Sequence, residues 1–197
     1  MFFKQITYPT LIQEVSGLKD SMLTKVFLAL VGSLALWASA KISIPFYPVP
    51  MTMQTFVVLM IGMSYGAKLG GATITLYLVE GALGLPVFSG SPERGIGLAY
   101  MFGPTGGYLL GFLVSAVTVG ILAERGFGKN ILSTLISMTI GTAIIFAFGL
   151  LWLGSIIGWD ASLLELGFTP FALGAILKIG LAALSLPLAW KLLGKKS

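Results

Sequence analysis

The sequence predicts an all-α integral membrane protein, a compact bundle of six transmembrane helices with both termini in the cytoplasm. Three observations lead there: an apolar composition, six separate apolar runs and an uneven distribution of positive charge. Hydrophobic residues make up 56% of the 197 and charged residues 10%, with a mean hydropathy of +0.98. Soluble domains carry about 25% charged residues, so this composition does not provide a water-facing surface. At about 20 residues per span, the chain 1–197 has room for six passes in one domain. The sequence contains no cysteine and no histidine, which removes thiol chemistry, disulfides, zinc sites and histidine acid–base catalysis. It shows no clustered acidic metal site either, so no metal or other cofactor is expected. In a soluble protein the net charge of +5 would point to nucleic acid; here membrane topology explains it.

Residues 1–20 mix apolar and polar positions and read as a short interfacial helix. Span 1 covers residues 21–40. Lys4, Lys19 and Lys25 precede its apolar core, which ends in Ala38-Ser39-Ala40, a sequence that also resembles a signal-peptide cleavage site. The region before the core is long for a signal peptide, so an uncleaved first helix is expected. Residues 42–56 follow, with Pro45, Pro48 and Pro50. Prolines so spaced fix φ and exclude a helix, making the segment extended and stiff. Tyr47, Thr52 and Gln54 supply its polar handles.

Span 2 covers 53–65 and span 3 covers 69–85, both short for a hydrocarbon core of about 30 Å. The segment from Pro86 to Tyr108 is punctuated by glycine and proline and reads as a shaped loop running into a helix start. Its 103–107 end offers free backbone N–H groups that suit an anionic group. Taken alone, both outer segments also fit ordinary loops of an aromatic belt. Spans 4, 5 and 6 cover 104–123, 131–157 and 168–193.

Charge assigns the orientation. With the N-terminus inside, the cytoplasmic side carries Lys4, Lys19, Lys25, Lys68, Arg125, Lys129, Lys191, Lys195 and Lys196, and the outer loops carry Lys41 and Arg94. This bias toward the inside sets both termini in the cytoplasm. The remaining cation, Lys178, sits within the last apolar run. A charge so deep costs several kcal/mol in a bilayer and marks a functional site unless a partner neutralises it.

Pro48-Val-Pro-Met-Thr-Met-Gln54-Thr-Phe56, Tyr77-Leu-Val-Glu-Gly81-Ala-Leu-Gly-Leu-Pro-Val-Phe88 and Gly103-Pro-Thr-Gly-Gly-Tyr108 occur in this order. The ordered set closely resembles the biotin-specific S component, the BioY family, of energy-coupling factor (ECF) transporters, over residues 42–178. The resemblance implies a six-helix protein of the cytoplasmic membrane, embedded in lipid, that captures biotin from outside. It is not an enzyme. The implied partners are a transmembrane coupling subunit and two cytoplasmic ATPases, and inward release is driven by ATP. This chain has no G-x-x-x-x-G-K-[ST] phosphate loop of its own. An S component for another vitamin, thiamine or riboflavin, and a non-transport membrane module are the alternatives.

The family pattern in the last helix is Gly-Asp-x-x-Lys, and the matching stretch here is Gly174-Ala175-Ile176-Leu177-Lys178. The lysine role transfers, whereas Ala175 stands where the family has aspartate. Glu80 is the candidate replacement: biotin's ureido ring offers two N–H donors and one carbonyl, and its valerate a carboxylate, so a carboxylate and an ammonium suit its polar groups. The alternative is that Glu80 reaches the outer interface and serves only as counter-charge to Lys178. Tyr47, Gln54 and Tyr108 are the preferred further ligand contacts, with Thr52 behind them, while Phe46, Phe88, Tyr100 and Phe171 are candidates for an apolar sleeve. In span 1, Ala29-x-x-x-Ser33 and Ala35-x-x-x-Ser39 form two small-residue pairs. Such pairs allow close helix approach, either to the coupling subunit, as the resemblance implies, or within the bundle.

Overall fold

In the computed structural model, residues 8–16, 21–44 and 47–193 are described. Phe46, Pro45, Lys4, Lys19, Lys195 and Lys196, together with parts of the expected interfacial helix, lie outside those residues. The elements are α1 (Leu11–Ser16), α2 (Met22–Lys41), β1 (Ser43–Ile44), β2 (Met51–Thr52), α3 (Gln54–Ala82), α4 (Gly97–Met101), α5 (Gly106–Glu124), α6 (Ile131–Ile157), α7 (Ala161–Gly167) and α8 (Thr169–Leu193). Among the described residues the fold is all-α apart from one two-residue antiparallel pairing, Ser43 with Thr52 and Ile44 with Met51. By length and composition, five helical stretches among the described residues can cross a membrane: Met22–Lys41, Gln54–Ala82, Gly106–Glu124, Ile131–Ile157 and Ser162–Leu193.

Helix starts follow local chemistry. Ser21 Oγ accepts from Thr24 N at 3.2 Å, and Asn130 Oδ1 accepts from Ser133 N at 2.9 Å. These side chains satisfy N–H groups that lack a partner in the first turn. The Asp160 side chain caps α7 in the same way, accepting from Ser162 N at 2.9 Å.

α3 contains one non-helical residue, Gly66, at φ 80° and ψ 179°. There the chain turns back on itself. A Cβ built on Gly70 would stand 3.2 Å from the Cα of Gly62, and Gln54 Nε2 donates to Tyr77 Oη at 2.6 Å. Had the helix run straight, those last two residues would be ~35 Å apart. α3 is therefore two antiparallel arms, 54–65 and 67–82, meeting where the sequence separates spans 2 and 3. Glu124 at the end of α5 supports the elbow: its Oε1 accepts from Ala67 N at 2.9 Å, capping the second arm from a neighbouring helix.

α5 packs between α3 and α6, α2 lies against α3, and α8 lies against α6. Leu36, Val58, Ile74, Tyr77, Val119, Met138, Ile145, Leu153 and Leu186 are buried along these contacts. The outside is also apolar: Leu23, Phe27, Leu151, Leu173 and Leu184 are exposed. An exposed apolar surface of that extent is a lipid-facing surface, so the protein is a multi-pass membrane protein.

The small residues of α2 differ in burial. Ser33 and Ser39 are buried inside the bundle, with Ser39 Oγ donating to Leu36 O at 2.7 Å. Ala35 is exposed and Ala29 half-buried. In each pair the serine is buried in the bundle and the alanine is less buried.

At Gly66, φ and ψ fall in a region essentially restricted to glycine, and a Cβ would stand 2.7 Å from Glu124 Oε1 and 2.8 Å from Thr10 Cγ2. Gly66→Ala should destabilise the fold by about 1–3 kcal/mol, read as a lower thermal midpoint in detergent. An unchanged midpoint would contradict the elbow.

Candidate ligand-binding cavity

Of the stretch expected to be extended, Ser43–Ile44 and Met51–Thr52 are strands, whereas residues 54–56 already belong to α3; Val49, Pro50, Met51 and Thr52 form part of a cavity wall. β1 and β2 pair, and Met53 N donates to Ile42 O at 3.1 Å, closing the loop onto the end of α2. Thr52 Oγ1 accepts from Gln54 N at 3.1 Å and so starts α3. The Thr52 hydroxyl therefore serves the helix, while its carbonyl turns toward α8.

That carbonyl accepts from Lys178 Nζ at 2.6 Å, and Thr55 Oγ1 stands 3.0 Å from the same ammonium. Lys178 thus joins α8 to the start of α3 across 126 residues of sequence. The ammonium faces a cavity enclosing about 820 Å³ of space unfilled by protein atoms, part of it continuous with the exterior.

Gln54, Thr55, Tyr100, Tyr108, Phe171 and Lys178 are among the lining residues, and Thr52 is another. Among the described lining residues, Lys178 is the sole charged one. Ala175 also lines the cavity, so the wall beside the ammonium is a methyl group where the family pattern has a carboxylate.

The structure brings Lys178, Thr52, Gln54 and Tyr108 to one cavity and leaves two expected residues outside its lining. Tyr47 is 84% exposed and does not line it. Glu80 does not line it either: its carboxylate accepts a hydrogen bond from Ser33 on α2. Glu80 and Lys178 have different partners, and the proposed shared polar end is not formed between them.

Tyrosine hydroxyls fasten the remaining walls. Tyr108 Oη donates to Gly167 O at 2.7 Å, binding α5 to the end of α7. Tyr77 Oη donates to Val87 O at 2.9 Å, and Tyr100 Oη to Ser89 O at 2.8 Å. Phe88, expected in the sleeve, instead stacks on Tyr100 with ring centres 4.8 Å apart and meets Tyr77 edge-on at 5.6 Å. Its ring covers Gly81, where a Cβ would stand 2.0 Å from Phe88 Cζ; a side chain there would expel the ring. Lys41 Nζ closes the same loop by donating to Ser91 O at 3.0 Å. Sequence reasoning missed Phe56, Phe112 and Phe146, which supply aromatic lining from α3, α5 and α6. Their spans are apolar throughout, so periodicity gave no reason to select them.

The sequence profile of the BioY family matches residues 10–195. This chain belongs to the BioY family. It is 34% identical over 166 residues to a probable biotin transporter BioY of Pyrococcus horikoshii, covering 84% of this chain and 93% of that protein. It is 37% identical over 145 residues to the biotin transporter BioY of Thermotoga maritima, covering 74% and 83% respectively. The fold matches a crystal structure of the S component for biotin from an ECF-type ABC transporter, with a TM-score of 0.73, 21% identity, and coverage of 90% of this chain and 96% of that one.

Ser33→Ala and Glu80→Gln should each lower the thermal midpoint, with the double variant no less stable than the worse single one. A coupling of about 0.5–3 kcal/mol is expected for groups in direct contact. Additive losses would contradict the Ser33–Glu80 contact.

Proposed function

We propose that this BioY-family protein captures biotin from outside the cell as the substrate-binding S component of an ECF-type transporter. The observation that carries the reading is the Lys178 ammonium, the sole charged group among the described residues of the cavity wall. Such a site needs an anion from the ligand, and biotin brings one carboxylate on an apolar chain. Its bicyclic ring suits the aromatic and aliphatic lining. Thiamine, a cation, would be repelled by Lys178, and riboflavin has no carboxylate to offer it. The names of the related transporters support the same ligand. Lys178 is the anchor in this reading, Gln54 offers an amide to the ring, Tyr108 supplies a wall, and Thr52 acts through its carbonyl by aiming the lysine. Tyr47 is the least supported of the expected contacts, and Glu80 acts as a structural partner of Ser33.

The chain forms one domain, 1–197, that crosses the cytoplasmic membrane six times, the arms of α3 counting as two short passes. At 1.5 Å per residue those arms reach ~18 and ~24 Å, short enough to require tilt or local thinning. Two features support termini on the cytoplasmic side: the positive-inside bias, and grooves that gather Lys25 with Lys68 and Lys129 with Lys191. A transmembrane coupling subunit and two ATPases supply energy. The coupling subunit meets the outward side of α2 around Ala29 and Ala35, while Ser33 and Ser39 pack internally.

Purified wild-type protein in detergent should bind labelled biotin at one per chain; no binding at micromolar biotin would overturn the reading. Lys178→Met should weaken binding about 100-fold or more, since removing one member of a buried charge pair costs about 2–5 kcal/mol. Ala35→Trp should reduce assembly or transport with the coupling module while biotin binding stays intact. Loss of binding instead would assign Ala35 to internal packing.

A further inference from the structure

Ser89 is 3% exposed and lines the cavity, and its Oγ has no hydrogen-bond partner among the described residues. Buried hydroxyls are rarely left unpaired, and each exception calls for an explanation. The surrounding segment is not loose. Val87 O accepts from Tyr77, Phe88 O from Ser91 Oγ at 2.6 Å, Ser89 O from Tyr100, and Ser91 O from Lys41. Residues on α2, α3 and α4, with Ser91 of the loop itself, thus hold the backbone on both sides of Ser89. Its hydroxyl alone is left without a partner among the described residues.

We infer that Ser89 is a specificity-determining residue whose hydroxyl donates a hydrogen bond to the uncharged oxygen of the ligand, the urea carbonyl of biotin. The inference rests on the biotin reading above. Lys178, on α8, takes the carboxylate, because an ammonium attracts an anion more strongly than it attracts a neutral carbonyl. Ser89 comes from the loop between α3 and α4 and offers a neutral donor, which matches the neutral urea oxygen. Gln54 complements it: Nε2 is engaged by Tyr77, and Oε1 faces only a long 3.4 Å contact from Thr52 Oγ1. That leaves an acceptor for a urea N–H. A ligand lacking the urea would leave the Ser89 hydroxyl buried and unpaired, which penalises look-alikes more than an apolar wall would.

The test compares binding of biotin and 2-thiobiotin, in which sulfur, a poor acceptor, replaces the urea oxygen, by purified wild type and Ser89→Ala. The wild type should prefer biotin. Ser89→Ala should bind biotin about tenfold more weakly with little change for thiobiotin, so that the preference collapses. The ratio of two dissociation constants within one protein is insensitive to the fraction that is folded. Unchanged biotin affinity in Ser89→Ala, or equal weakening of both ligands, would overturn the role of Ser89 alone. Failure of the wild type to bind biotin would overturn the biotin reading and this inference with it.

Discussion

An ammonium held inside an apolar bundle must be given partners, and the arrangement of the cavity follows from how Lys178 obtains them. Two come from the start of α3, the Thr52 carbonyl and the Thr55 hydroxyl. Both are neutral, so they satisfy N–H groups without cancelling the charge. The adjacent position on the same helix face is Ala175, and no described residue lining the cavity is acidic. The positive charge is therefore held in a fixed position and left uncompensated by the cavity wall. That combination favours an anionic ligand over a structural ion pair.

The path from fold to cavity runs through the elbow at Gly66. Reversal there sets the second arm of α3 beside the first, which brings Gln54 to Tyr77. Tyr77 then holds Val87, and Phe88 settles against Gly81 and Tyr100. The loop bearing Ser89 is positioned by these contacts one after another. Glu124, at the far end of α5, secures the reversal through Ala67 N. A single carboxylate remote from the cavity thus helps to set its geometry.

Much of this was legible in the sequence because apolar length and proline content are local properties. The apolar runs at 131–157 and 104–123 correspond closely to α6 and α5, and the break between spans 2 and 3 falls at Gly66. Lys178 was legible because a solitary charge in an apolar run stands out whatever the packing. The partner of Glu80 was not, since it depends on which side of α2 Ser33 presents. Helices that are apolar all round carry little periodic signal of their rotation. Tyr47 lies in a segment read as extended, and proline spacing does not specify whether its ring is covered or exposed. Ser89 resembles any loop serine until the neighbouring carbonyls are seen to be taken.

The central claim is that the charge on Lys178 is answered by a charge on the ligand. The most direct measurement is the dissociation constant of the wild-type protein for biotin set against that for biotinamide, which keeps the ring and chain but lacks the negative charge. The account predicts biotinamide binding weaker by about 100-fold or more, the order expected when a buried ion pair loses one member. Equal affinity for the two would contradict it.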